Sequence, residues 1–180
     1  ILTSWNGLML AAFAEAARLL DREDYRHIAE HNARFLLDQV CTSQGRLYHT
    51  WQAGTARING YLADYTHLIY GLLALYQTTF DARWYQTAQQ LADTIIAHFT
   101  ADPAPGFFDT SDDHESLIVR PHDMQDNALP SGNSMAAFVL QRLAELSGRQ
   151  HYTQIARQSL ASIQSALARY PLGFSQWLIA

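Results

Sequence analysis

Three stretches of this chain, Leu8 to Leu20, Thr66 to Tyr76 and Met135 to Leu146, are apolar on nearly every side of a helix. Each is followed by a segment with a single apolar stripe: Tyr25 to Val40, Trp84 to Phe99 and Tyr152 to Leu167. A helix that is apolar all round must be covered on both sides, whereas a striped helix can face water. The chain therefore reads as inner and outer helices in alternation. Each inner run is preceded by a small polar knot: Trp5-Asn6-Gly7, Asp64-Tyr65 and Ser131-Gly132-Asn133-Ser134.

At about 100° per residue, Tyr25, Ile28, Ala29, Asn32, Leu36 and Val40 share one side of the first outer helix. Trp84, Ala88, Leu91, Ala92, Ile95 and Phe99 do the same in the second, and Tyr152, Ala156, Leu160, Ile163 and Leu167 in the third. Setting Tyr25, Trp84 and Tyr152 in register aligns Ala29, Ala88 and Ala156, which marks a repeat of helical hairpins with unequal insertions. The repeat is too irregular for a short-period solenoid. It fits an all-α toroid in which inner helices line a central pocket.

The 180 residues, 48% hydrophobic and 16% charged, suit one soluble helical domain over 1–180. A formal net charge of -5 without a Lys/Arg cluster argues against a nucleic-acid or anionic-membrane partner. The lone Cys41 excludes an internal disulfide framework and is expected of a reducing, cytoplasmic setting. The apolar opening is interrupted by Asn6, Glu15 and Arg18 and reads as a buried helix, not a membrane span. Ile1 at the start, and a final Phe174 to Ala180 that looks like the opening of a seventh helix, lead us to expect a fragment of a longer protein.

Inner-to-outer connections are short, around Asp21, Phe80-Asp81 and Ser147-Gly148. Outer-to-inner connections are long, about Cys41 to Asn59 and Thr100 to Pro130, and long loops in compact domains tend to carry function. Arg46 to Trp51, and Phe107 to Thr110 with Ser116 to Arg120, are expected to form short β-ribbons. Because successive helices reverse direction, the inner-helix N-termini, their knots and both long loops meet at one end.

That end offers Asp64 and Asp126 beside two inner helices, with Asp109, Asp112 and Asp113 in the larger loop. Two carboxylates across a pocket suit the acid and base of glycoside hydrolysis; the same residues suit helix capping. His67 follows Asp64 by three residues, so the carboxylate can orient the imidazole for proton abstraction beside a sugar carbonyl, or the histidine is a core residue. Trp5, Tyr61, Tyr65 and Phe108 supply flat faces on which sugar rings stack, or ordinary core. Trp51 is a further such face. Arg120, with His122 and Asp123, adds polar groups near Asp126. Asn6, Ser131 and Asn133 offer donors at helix starts, where Ser131 also has the chemistry of an N-cap.

His27-Ile28-Ala29-Glu30-His31 matches the H-x-x-E-H zinc pattern, but both histidines fall on the polar side of an outer helix beside Arg34. No metal or other cofactor is expected.

Thr3 to Met9, Gly60 to Tyr65, Gly106 to Thr110 and Asp126 to Ser134, in this order and spacing, resemble the C-terminal helical region of the thioredoxin-domain-containing, spermatogenesis-associated protein family. The resemblance covers essentially the whole chain, and Pro130-Ser131-Gly132-Asn133-Ser134 with the preceding Asp126 is its most specific element. It implies about half of an (α/α)6 toroid similar to six-hairpin glycosidases and acylglucosamine epimerases. The rest of the toroid and a thioredoxin-like domain would lie outside this chain. Ala63 stands where the family typically has an acid, and Asn127 where it has Gly. The expected function is carbohydrate-active or carbohydrate-binding, with no reaction assigned; the competing expectation is a non-catalytic scaffold or protein-interaction module supporting a thioredoxin-like domain.

Overall fold

The computed structural model describes residues 1–115 and 118–180. Its helices are α1 (Thr3–Leu20), α2 (Glu23–Gln39), α3 (Leu62–Thr79), α4 (Ala82–Phe99), α5 (Gly132–Ser147) and α6 (Gln150–Arg169). A β-hairpin, β1 (Tyr48–Gln52) and β2 (Thr55–Asn59), lies between α2 and α3. The pairs α1/α2, α3/α4 and α5/α6 are the three hairpins that the alternating pattern predicts, with α3 packed against α1, α4 and α5 at the centre.

The three inner-to-outer turns share one construction. α1, α3 and α5 each end on a left-handed residue, Asp21, Phe80 and Gly148, whose N–H returns to the carbonyl of Ala17, Tyr76 and Ala144. Glycine adopts that conformation without strain, whereas Asp21 and Phe80 accept a steric cost to make the same turn. Asp81 then caps α4 by accepting from the Arg83 N–H at 3.0 Å.

The outer stripes dock largely as their spacing dictates. All six stripe residues of α4 are buried, as are Tyr152, Ala156 and Ile163 of α6. In α2 the stripe is shifted: Ala29, Ala33, Leu36 and Val40 are buried, whereas Ile28 is 45% exposed and Asn32 donates to the Asn6 carbonyl at 3.2 Å. The reason is that α2 lies against α1 and touches α3 only slightly, so a narrower face suffices. α1 departs in the same direction. Leu10, Ala11, Ala14 and Ala17 are covered, but Trp5, Met9 and Leu19 face outward, since no described element packs on that side.

The loops follow the sequence less closely. Ala53 and Gly54 both have positive φ, the requirement of a two-residue hairpin turn matched to strand twist, and set the register with Gln52 opposite Thr55. The second ribbon does not form among the described residues. Phe107 bridges Thr100 instead, and Ser116 and Leu117 lie outside the described residues. Pro171–Phe174 and Gln176–Leu178 are 3₁₀ turns in place of the expected start of an α-helix, and Trp177 anchors them beside Ala137 and Ile163.

Two glycines set the distance between α1 and α3. A Cβ on Gly7 would lie 2.6 Å from the His67 carbonyl carbon and the Leu68 nitrogen, and one on Gly71 would lie 2.6 Å from the Gly7 oxygen. The obstacles are backbone, so the helices must move apart to admit a methyl group. We expect Gly7→Ala to lose about 2 kcal/mol despite alanine's better helix propensity, lowering the melting temperature by about 6 °C in a calorimetric scan.

Candidate functional site

The N-termini of α1, α3 and α5 gather at one end, with the β-hairpin and the 100–130 loop beside them. Asp64 holds them together. Its Oδ1 accepts from the Ser4 N–H at 2.9 Å and its Oδ2 from the Tyr61 N–H at 2.9 Å, so one carboxylate caps α3 and satisfies a free amide of α1. His49 of β1 adds a contact from Nδ1 at 2.9 Å. That bond holds the imidazole above its ordinary pKa, against a smaller opposing effect of burial.

The expected pairing of Asp64 with His67 does not form, because the carboxylate is turned toward His49 and the two amides. His67 is buried, and its ring nitrogens face the Ser4 and Pro130 carbonyls without reaching hydrogen-bond geometry with either. Burial pushes its pKa down to about 4. Asp126 is similarly occupied: Oδ1 accepts from the Ser131 N–H at 2.9 Å and the Ser134 hydroxyl at 2.6 Å, and Oδ2 from the Gln176 N–H at 2.8 Å. Geometry therefore gives Asp64 and Asp126 work as backbone ligands, with no oxygen of either left without a donor.

The remaining candidates divide. Tyr65 is core: its hydroxyl accepts from the Leu47 N–H at 2.8 Å, its ring packs on Phe99, and burial raises its pKa. Asn133 is buried and pairs with the Phe107 backbone through both amide atoms, at 2.8 and 2.9 Å, pinning the large loop to α5. Asn6 closes the first turn of α1 by donating to the Leu2 carbonyl at 2.8 Å. Ser131 is the N-cap of α5, accepting from the Ser134 N–H at 3.1 Å. Trp5 is 59% exposed on the outward side of α1.

Tyr61, Phe108 and Arg120 remain half-buried at the mouth. The Tyr61 ring sits between His49 and His114, with centroids 5.0 and 5.3 Å away. The Arg120 guanidinium lies 4.2 Å over the Phe108 ring and donates to the Thr110 carbonyl, while His122 meets Phe108 edge to face at 5.9 Å. Between these clusters is Asp109, whose carbonyl accepts from the Leu62 N–H at the start of α3. Its carboxyl is pushed up by burial, reinforced by the charge of Asp123 and opposed by the Asp123 N–H and His122.

His49 and His114 are absent from the sequence candidates. Strand alternation carries a signal for His49, since it shares a face with Trp51, which packs on Phe35. Nothing in the spacing places His114. Among the described residues one group has metal-ligand spacing, His98, Asp112 and Asp113 within 4.8 Å of one another, but Asp113 is already paired with Arg46 and the Ser111 hydroxyl. His27 lies beside Glu23 on the exposed face of α2. No helix among the described residues is long and apolar enough to cross a membrane.

No protein-family model matches the chain. Spermatogenesis-associated protein 20 of Rattus norvegicus is 31% identical over 190 residues, a match covering all of this chain and 24% of the rat protein. The chain is a relative of part of spermatogenesis-associated protein 20. It spans about a quarter of the length of such relatives. Among solved structures it is similar to a cellobiose 2-epimerase from Spirochaeta thermophila, with a TM-score of 0.74 and 13% identity over 93% of this chain and 44% of that one. It is also similar to an inactive variant of the α-1,6-mannanase of Salegentibacter sp., solved with α-1,6-mannotriose, at a TM-score of 0.72 and 14% identity over 91% of this chain and 47% of that one. At such identities the likeness establishes the fold alone, and the chain matches slightly less than half of each of these α/α-toroid structures.

Two stability measurements check this account. Asp64→Asn leaves one acceptor oxygen and turns an NH₂ toward amide donors, so we expect a loss of about 3 kcal/mol in urea unfolding. His67 has a folded pKa below its unfolded value, so its contribution is intact above about pH 6.5, is lost as pH falls through that value, and levels off below about pH 4. The fall is roughly 3 kcal/mol and should disappear in His67→Gln. His49, with its raised pKa, acts oppositely: its contribution is present in acid and is lost as pH rises through its folded value.

Proposed function

We infer that this chain supplies a carbohydrate-binding wall of an α/α toroid, with the sugar received at the mouth formed by the inner-helix N-termini. The observation that carries this reading is the pair of half-buried aromatic clusters there, Tyr61 between His49 and His114 and Phe108 under Arg120, flanking the Asp109 carboxyl. The half-buried rims of these rings offer apolar contact to the C–H groups of a sugar, and the His49 imidazole, Arg120 guanidinium and Asp109 carboxyl beside them are the groups that would meet its hydroxyls. The sugar epimerase and mannanase on the same fold are consistent with it by analogy.

The residues assigned to chemistry change under this reading. Asp64 and Asp126 support the wall through their backbone bonds, and Asp109 is the carboxyl suited to hold a proton closer to neutral pH, the property a general acid needs. The competing scaffold reading, in which the toroid supports a thioredoxin-like domain or a protein partner, draws on the same full occupation of Asp64 and Asp126. Cytoplasmic residence accompanies either reading as a proposal, from the single cysteine.

An amide NMR titration with neutral, amino and acidic sugars separates the two. We expect saturable shifts at Tyr61, Phe108, Asp109 and His114 that vanish in Tyr61→Ala. A well-dispersed spectrum indifferent to every sugar would favour the scaffold.

A further inference from the structure

The inner helices carry very few charged side chains, yet the structure brings one from α1 and one from α5 to the same small cavity below the mouth. Glu15, Tyr70, Phe138 and Arg142 line it, with Leu73 and Gln77 of α3. The Tyr70 hydroxyl donates to Glu15 Oε1 at 2.9 Å, and burial together with that bond raises the phenol to about 12. Tyr70 meets Phe138 edge to face at 5.7 Å, and the Arg142 guanidinium stands 5.3 Å over the Phe138 ring. Among the described residues Arg142 has no carboxylate partner, and Glu15 keeps its second oxygen without a donor. Tyr70 lies about 14 Å farther along α3 than Tyr61, so this cavity is separate from the mouth.

We propose that Glu15, Tyr70, Phe138 and Arg142 form a second subsite, on the concave wall of the toroid, for a neutral polyhydroxylated ring. The proposal rests on the carbohydrate reading of the mouth and extends it inward. Charge decides the ligand class. A sugar acid that pairs with Arg142 also brings its charge beside the Glu15 carboxylate, and an amino sugar that pairs with Glu15 brings its charge beside Arg142, so each gain is offset; a neutral sugar gives hydroxyl protons to the first and accepts from the second without that cost. The Tyr70 and Phe138 rings present the apolar surface that its C–H face requires. The Tyr70–Glu15 bond fixes the acceptor in place, so the carboxylate is oriented before a ligand arrives. The cavity measures about 70 Å³, which admits one edge of a sugar ring and leaves the rest in the open space of the toroid. Tyr70, a weak acid here, serves as a positioning residue and takes no proton-transfer role.

The test is a side-chain NMR titration of the protein with D-glucose, D-mannose, glucuronate and glucosamine, following the Arg142 guanidinium and the Phe138 ring. Saturable shifts with the neutral sugars, weakened about tenfold by Arg142→Gln and by Glu15→Gln and retained in Tyr61→Ala, are expected. Amide spectra of the variants, with unchanged dispersion, separate loss of binding from loss of fold. Shifts at the mouth with silence at Arg142 and Phe138 would overturn the subsite and leave the mouth reading standing. Silence at both places would overturn both. Tighter response of the Arg142 signal to glucuronate or glucosamine than to glucose would overturn the assignment of a neutral ligand.

Discussion

Much of this architecture hangs on one carboxylate. Asp64 takes its donors from two helices that are distant in sequence, and a third contact comes from the hairpin between them. Helix N-termini carry unsatisfied amides and partial positive charge, so three of them brought to one end repel and dehydrate one another. A buried anion at α1 and α3, and Asp126 at α5, satisfy those amides from inside the protein. The mouth can therefore be lined with aromatic rings instead of being open to water at every helix start.

The same economy separates framework from exposed wall. Tyr65, Asn133 and the two aspartates are buried and consumed by backbone groups, whereas Tyr61, Phe108, Arg120 and Asp109 are half-buried. Charged side chains are few on the inner helices, and Asp64 is spent on helix ends. Glu15 and Arg142 cap no helix and instead line the small cavity beside α3.

The helical layout was legible because it depends on period and polarity alone. Trp84 to Phe99 repeats its apolar residues every three or four positions, and all six are buried. Ile28 misled because a stripe states which face is apolar, while the width actually covered depends on the neighbouring helix. The capping role of Ser131 is readable from local sequence because its hydroxyl acts on its own helix. The work of Asp64 was only half visible: its bond to Tyr61 is local, but its bond to Ser4 closes a gap of sixty residues and has no signature in spacing. His114, which reaches Tyr61 from an irregular loop, belongs to the same class of long-range contact. The expected partnership with His67 failed because helical spacing puts two residues on one side without saying which other donors compete for the carboxylate.

The seams on the two sides of α3 differ in what fills them. Against α1, backbone meets backbone at Gly7 and Gly71; against α5, Gly132 faces the Leu62 side chain. A leucine can rotate or be exchanged for another residue, but a peptide group cannot. Over evolutionary time the α3–α5 seam can drift through compensating pairs of substitutions, while the α1–α3 seam offers no such path. The first hairpin is thereby the fixed reference of the arc, and variation in the curvature of the ring among relatives should accumulate on the far side of α3.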